Sequence, residues 1–355
     1  MGIITQVFSI ILQPFILSLF TTVLAVFPTI KLARKFNLLD NPKTRPHPAH
    51  VQKRVVPRAG GLACFVGLVA TILTFIPFST QIGGILAGLS ILLIVGLLDD
   101  KYPNFSPYVR LVGQFVAAAF VVFSGVGIDF ITNPLGGIIH FSPILSKLLA
   151  LIWIVWVMNM VNWSKGVDGQ MPGIVTVACL ILGLLSVKLT LLGDPNQEAV
   201  AKLSFIGAGA SFGLLIFNWY PAKIFPGFSG STILGFMIAV LSILSGAKVA
   251  TAGLVLLIPA ADFIYTFTRR ILEGKSPVWG DRGHLHHRLM DLGLTHRQIS
   301  LFYILGSVIL GAAALSLSSG GKLFAGIFVA TVTLGAILWL NFFGGLSRRH
   351  VPDNG

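Results

Sequence analysis

A succession of apolar runs, each close to 20 residues long and separated by short polar breaks, constrains this chain more than any other feature. A helix needs about 20 apolar residues to cross roughly 30 Å of hydrocarbon. In lipid every backbone N–H and C=O must pair within the protein, which leaves helix bundles and closed barrels. Barrel strands would read as short alternating segments, and these runs do not alternate. Only 10% of the residues are charged, against about a quarter in a soluble domain. The expected fold is therefore all-α, a polytopic transmembrane helix bundle, with residues 1–355 as one integral membrane domain and no soluble domain.

Eleven spans are expected, near 5–31, 59–79, 82–98, 108–126, 143–162, 171–192, 200–219, 230–246, 248–268, 299–318 and 323–344. Ten stays open, because the break near Gly246–Lys248 would also suit a merged or re-entrant segment. The first run has no Lys or Arg before it and no small-residue cleavage site after it, so it reads as a retained span. Of the 25 Lys and Arg, only Lys147, Lys188, Lys202, Lys248 and Lys322 fall towards one face. Cytoplasmic loops carry the excess of Lys and Arg, so the N-terminus is expected outside and the C-terminus in the cytoplasm. The net charge of +13 then reads as topology signal and attraction to anionic lipid. Nucleic acid is not an expected partner, since no soluble basic domain exists to bind it. Cys64 and Cys179 lie in apolar runs and read as small core residues, with no CxxC or zinc pattern.

The unusual polar residues gather in the expected inner loops, near 32–58, 99–107, 163–170, 220–229 and 269–298. Asp99 and Asp100 adjoin at a helix end, where they repel each other and meet the unfavourable pole of the helix dipole. A cation or a shared proton would relieve that cost. A solvated helix stop would look the same. The functional alternative is a metal–phosphate site, or a base acting on a phosphate-bearing substrate. The run Asp281-Arg282-Gly283-His284-Leu285-His286-His287-Arg288 lacks a third ligand at zinc spacing. Its arginines and histidines suit a diphosphate, though a solvated basic loop reads equally well. Exposed amides in the Gly227–Gly230 turn, at a helix start, would favour an anion. The outer loops hold only Asp129, Asp194 and Glu198 as acids, so function is expected on the cytoplasmic face. A transporter is disfavoured, because Asp262 is the only acid deep in an apolar run and no repeat is visible.

In combination these motifs resemble the polyprenyl-phosphate sugar-1-phosphate transferases, the glycosyltransferase 4 family. That superfamily includes phospho-N-acetylmuramoyl-pentapeptide transferase and the N-acetylhexosamine-1-phosphate transferases. The resemblance runs from about Leu38 to Arg288. Pro57-Arg58-x-Gly60-Gly61 is similar to the opening motif and Asp99-Asp100 to the aspartate pair, with Arg110 as the basic residue that follows. Asn159-x-x-Asn162 and Gly166-x-Asp168-Gly169 resemble the segment along the nucleotide-sugar. Lys223-Ile224-Phe225 with Gly227-x-Ser229-Gly230-Ser231 resembles the next motif, and Asp281 through Arg288 the histidine motif.

The resemblance implies an enzyme of the bacterial plasma membrane with a cytoplasmic active site. It would move a sugar-1-phosphate, expected to be N-acetylhexosamine-1-phosphate, from a UDP-sugar to polyprenyl (undecaprenyl) phosphate. UMP would be released, and the product would serve cell-envelope glycan synthesis. Asp99, Asp100 and Asp168 are implied as catalytic residues and as ligands for Mg²⁺. Arg58, Arg110, Asn159, Asn162, Lys165, Lys223, Asp281, Arg282, His284, His286 and His287 are implied in substrate binding. Polyprenyl phosphate, a UDP-sugar and membrane lipids are the implied partners, and a homodimer is compatible with the reading.

Two departures bear on the chemistry. Lys165 and Phe228 stand where the family usually has aspartates, the second of them its best metal ligand. Together they move the site by about three charges and weaken any Mg²⁺ site, which needs hard oxygen ligands. Three readings follow: an active enzyme with Lys165 supplying charge, a weaker metal site on the remaining acids, or a non-catalytic relative that binds lipid phosphate or nucleotide-sugar.

Overall fold

The computed structural model describes residues 2–42, 54–133, 136–246, 248–276 and 283–343. Thirteen helices follow in chain order: α1 Gly2–Lys35, α2 Gly60–Phe75, α3 Thr80–Lys101, α4 Pro107–Phe123, α5 Pro143–Trp163, α6 Gln170–Leu191, α7 Gln197–Asn218, α8 Gly227–Leu244, α9 Val249–Val255, α10 Leu257–Leu272, α11 Leu285–Asp291, α12 His296–Ser316 and α13 Ser319–Phe343. Two short antiparallel pairs complete the described residues, β1 Leu39–Asp40 with β2 Val56–Pro57, and β3 Phe130–Thr132 with β4 Ile138–His140.

Among the described residues eight helices are long and apolar enough to cross a membrane, or nine if the bent pair α9–α10 counts as one span. The chain is thus a multi-pass membrane protein. Each expected apolar segment but that over 248–268 falls on a single helix. Helices α2 and α4, with 16 and 17 residues, reach only about 25 Å at 1.5 Å per residue. The segment expected as one span over 248–268 is broken instead: α9 and α10 meet at 82°. Pro259 accounts for the break, since it lacks an N–H and its ring crowds the carbonyl four residues earlier, at Val255, the last residue of α9.

Helix α8 forms the centre. Its spanning window is 94% buried, against 17% for α13 at the periphery. It packs against α5, α3 and α2, with α6 and α7 behind. Small residues allow the close approach, as is usual between membrane helices: a Cβ on Gly96 of α3 would overlap the backbone of Ser229 in α8. Hydroxyls start several helices. Ser79 accepts the Ile82 amide ahead of α3, and Thr295 and Gln298 form a reciprocal cap on α12. The C-terminal ends of α3 and α5 thereby meet the N-terminal ends of α4 and α8.

Candidate active site

Asp99 and Asp100 end α3 with side chains only 1% and 0% exposed. A buried carboxylate without partners would cost several kcal/mol, and both are fully engaged. Asp100 Oδ1 accepts the Phe228 amide at 2.7 Å and Arg58 Nε at 2.9 Å. Its Oδ2 accepts the Ser229 hydroxyl at 2.7 Å and the Ser229 amide at 3.3 Å. Gly227 makes this possible with φ +71°, since a Cβ there would overlap the carboxylate. The amides at the start of α8, expected to draw an anion, therefore hold the chain's own Asp100.

Asp99 is shared by two guanidiniums. Arg110 Nε lies 2.5 Å from its Oδ1 and Arg58 Nη2 3.4 Å from its Oδ2. Arg58 also reaches Asp40 at 3.7 Å. The β1–β2 pair and a parallel bridge between Arg58 and Phe225 fix this residue beside α8. The arginine side chains are more exposed than the acids, at 22% for Arg58 and 31% for Arg110, and Arg110 Nη2 donates to the Phe105 carbonyl at 3.1 Å.

Lys165, in the turn after α5, donates to Asn162 Oδ1 at 2.6 Å and to the Gly227 carbonyl at 3.3 Å. Asn162 Oδ1 also accepts from Ser231 at 2.8 Å. Two cations lie over the Phe228 ring, Lys165 Nζ at 5.8 Å and the Arg110 guanidinium carbon at 5.5 Å, within cation–π range. Burial pulls the Lys165 ammonium down to about 7, with Arg58 adding to the shift and Asp100 and Asp99 opposing it.

The histidine segment adjoins this centre. A Cβ on Gly166 would overlap the His286 ring. His284 Nδ1 lies 2.9 Å from Asp262 Oδ2, and the Leu285 amide donates to Asp262 Oδ1 at 2.7 Å. The rings of His284 and His286 stack at 5.4 Å, with His287 4.3 Å from His286 and Trp163 5.3 Å from His284. Burial, then His287 and His284, hold the His286 imidazole well below its ordinary value, so it is neutral near pH 7 and donates from one nitrogen only.

Arg58, Asp99, Asp100, Arg110, Asn162, Lys165 and His286 thus come together from distant parts of the chain. Other expected site residues do not join them. Asn159 donates to Gln114 Oε1 at 2.8 Å and to the Val155 carbonyl, tying α5 to α4. Lys223 is exposed. Asp168 accepts the Ala222 amide at 2.9 Å, and its carbonyl accepts from Ser300. Asp281 and Arg282 lie outside the described residues. The sequence reading named Ser229 and Ser231 only as part of a motif and gave them no role, and it did not foresee the parts of Asp40 or of Asp262 with His284. The serines carried a motif signal and Asp262 stood out as an acid within an apolar run, but nothing local pointed to their partners.

The acids do not fit Mg²⁺. Among the described residues no three of His, Cys, Asp and Glu gather where one cation could be held, so the expected trio of Asp99, Asp100 and Asp168 is not assembled. The oxygens of Asp99 and Asp100 face N–H and O–H donors, and the cation that Asp40, Asp99 and Asp100 surround is Arg58.

Comparison with known proteins relates the chain to the glycosyl transferases. The Glycosyl transferase family 4 profile matches residues 82–246. The chain is 33% identical to the probable undecaprenyl-phosphate N-acetylglucosaminyl 1-phosphate transferase of Bacillus subtilis, over 84% of this chain and 82% of that protein. It is 32% identical to the decaprenyl-phosphate N-acetylglucosaminephosphotransferase of Mycolicibacterium smegmatis, over 80% of this chain and 76% of that protein. Against the undecaprenyl-phosphate alpha-N-acetylglucosaminyl 1-phosphate transferase of Escherichia coli K12 the identity is 27%, over 83% and 80%. The chain belongs to the polyprenyl-phosphate sugar-1-phosphate transferase superfamily.

Proposed function

We propose that the chain transfers N-acetylglucosamine-1-phosphate from its UDP-sugar to a polyprenyl phosphate at the cytoplasmic face of a bacterial plasma membrane. The relatives' acceptors and sugar support the substrate class. The Lys and Arg asymmetry supports the side. The observation that carries the chemistry is the placement of Arg58, Arg110 and Lys165 over a buried carboxylate pair, beside the histidine segment.

A lipid phosphate monoester has a second pKa near about 6, so at neutral pH it is already largely the dianion. It needs a cradle more than a base. One of its oxygens attacks the sugar-linked phosphorus of the donor. A new P–O bond forms, the bond to the uridine-linked phosphate breaks, and UMP leaves with the electron pair. Arg58, Arg110 and Lys165 hold the acceptor phosphate, and His286 meets the donor from the other side. Asp99 acts as a positioning residue that aims both guanidiniums. Such transfer depends mainly on placement and charge stabilisation. The lipid tail would run along α3 and α4 away from the site, towards a groove of about 540 Å³ at their far ends, lined by Gly83, Ala87, Val116, Ala119, Phe120 and Phe123.

The test is incubation of the purified full chain with radiolabelled UDP-N-acetylglucosamine and undecaprenyl phosphate. Label in a lipid-linked sugar diphosphate, with UMP released, is the expected result. Uptake of intact substrate into sealed vesicles without lipid labelling would mark a transporter, and binding without turnover a non-catalytic relative.

A further inference from the structure

We infer that this centre takes its phosphate on three side-chain cations, Arg58, Arg110 and protonated Lys165, and not on a bound divalent metal. The inference rests on the transfer reading above and states how that site supplies positive charge. It is carried by what the centre offers to an incoming group. A metal needs accessible oxygen lone pairs. Here the carboxylates of Asp99 and Asp100 are buried at 1% and 0% exposure, and each oxygen already faces a donor. A phosphate needs N–H donors. The partly exposed side chains carry donors: Arg58 and Arg110 are 22% and 31% exposed, and of the five N–H groups on each guanidinium Arg58 donates two to Asp100 and Asp99 and Arg110 gives one to Phe105 and turns Nε to Asp99. Lys165 has spent two of its three N–H groups, on Asn162 and Gly227, and keeps one.

Beside Lys165 and Arg110 stands the Phe228 ring, which offers no lone pair. The ring serves another purpose. Its negative face lies against both cations and spaces them without a carboxylate that would neutralise one of them. The ammonium anchored on Asn162 then takes the role of a metal's charge, and it is held in place before substrate arrives. Preorganised charge of this kind needs no rearrangement as the transition state forms.

Two measurements test this on the full-length protein in neutral detergent. The first is the label-transfer assay in excess EDTA and in added Mg²⁺. Equal product in both is expected. Loss of product in EDTA that Mg²⁺ restores overturns the inference and leaves the transfer reading intact. No product in either overturns the transfer reading. The second measurement needs no turnover and judges the inference by itself: titration with Mn²⁺ followed by electron paramagnetic resonance. The wild type is expected to leave the free-ion spectrum unchanged. The double variant Lys165→Asp/Phe228→Asp is expected to bind one ion. Tight binding of one Mn²⁺ by the wild type overturns the inference whatever the assay shows. In the transfer assay Lys165→Met is expected to lower kcat/KM by about a hundredfold, the scale of one lost transition-state donor.

Discussion

Asp100 of α3 closes the N-terminus of α8 through Ser229, accepting its hydroxyl at 2.7 Å and its amide at 3.3 Å on one oxygen. The other oxygen takes the Phe228 amide and Arg58. Four donors converge on one buried anion, so Asp100 joins two helices and a loop. Asp100→Asn places an NH₂ group against donors and removes the charge that Arg58 needs. Breaking one partner of a buried ion pair costs about 3–5 kcal/mol. The variant is expected to unfold at markedly lower denaturant in an SDS titration. Asp99→Asn, which leaves the start of α8 intact, is expected to stay folded and lose transfer by at least about tenfold, as both guanidiniums lose their aim.

The Lys165 ammonium predicts an alkaline limit. It ionises near 7 in the folded chain against 10.5 ordinarily. The groups facing it are Arg58 and Arg110, which disfavour its charge, and Asp100 and Asp99, which favour it. Between those two pH values the folded state holds fewer protons than the unfolded one, so this group's contribution to stability rises with pH across the window. Activity should move the other way. Above about pH 7 kcat/KM is expected to fall about tenfold per unit as the ammonium is lost. Bound phosphate favours the charged form, so the limb in kcat should lie at higher pH. In Lys165→Met the limb should vanish from both profiles.

Asp262 is expected to act through His284. It holds Nδ1 at 2.9 Å and the Leu285 amide at 2.7 Å, which sets both the ring and the start of α11. A charged hydrogen-bond partner is worth about 1.5–3 kcal/mol, corresponding to roughly a tenfold to hundredfold change. Asp262→Asn should raise KM for the UDP-sugar by an amount in that range, with kcat and the unfolding midpoint changed less. An equal loss in folding would assign Asp262 to the scaffold alone.

Gly96→Ala tests the contact between α3 and α8. The added methyl would overlap the Ser229 backbone, and overpacking of this kind costs about 1–3 kcal/mol. The SDS midpoint should fall, and transfer should fall with it, because the same contact sets Asp100 against Ser229.

The apolar runs made the bundle legible, since each expected segment but one falls on a single helix. The break at Leu256 was harder to see: α9 and α10 read as one continuous apolar run, and only Pro259 hinted at the 82° turn. The site was legible as a set of residue types and less so as a set of roles. Asp99 and Asp100 look equivalent in sequence, yet one is surrounded by arginines and the other by the backbone of α8. Asp168 was expected beside them because the family resemblance implied it as a third acid of the site, but its carboxylate accepts the Ala222 amide. Partners such as Asp262 and His284, 22 positions apart, leave no local pattern, because packing alone brings them together.

Because Asp100 already fills the start of α8, the main chain contributes little of the attraction at this centre, and side chains set its sign. A backbone anion hole is difficult to alter by substitution. Here the charge depends on a few codons, and on the inference above two of them, at Lys165 and Phe228, would separate a pocket that prefers phosphate from one that recruits a metal. Relatives that differ at those positions would share one scaffold while relying on different ionic conditions.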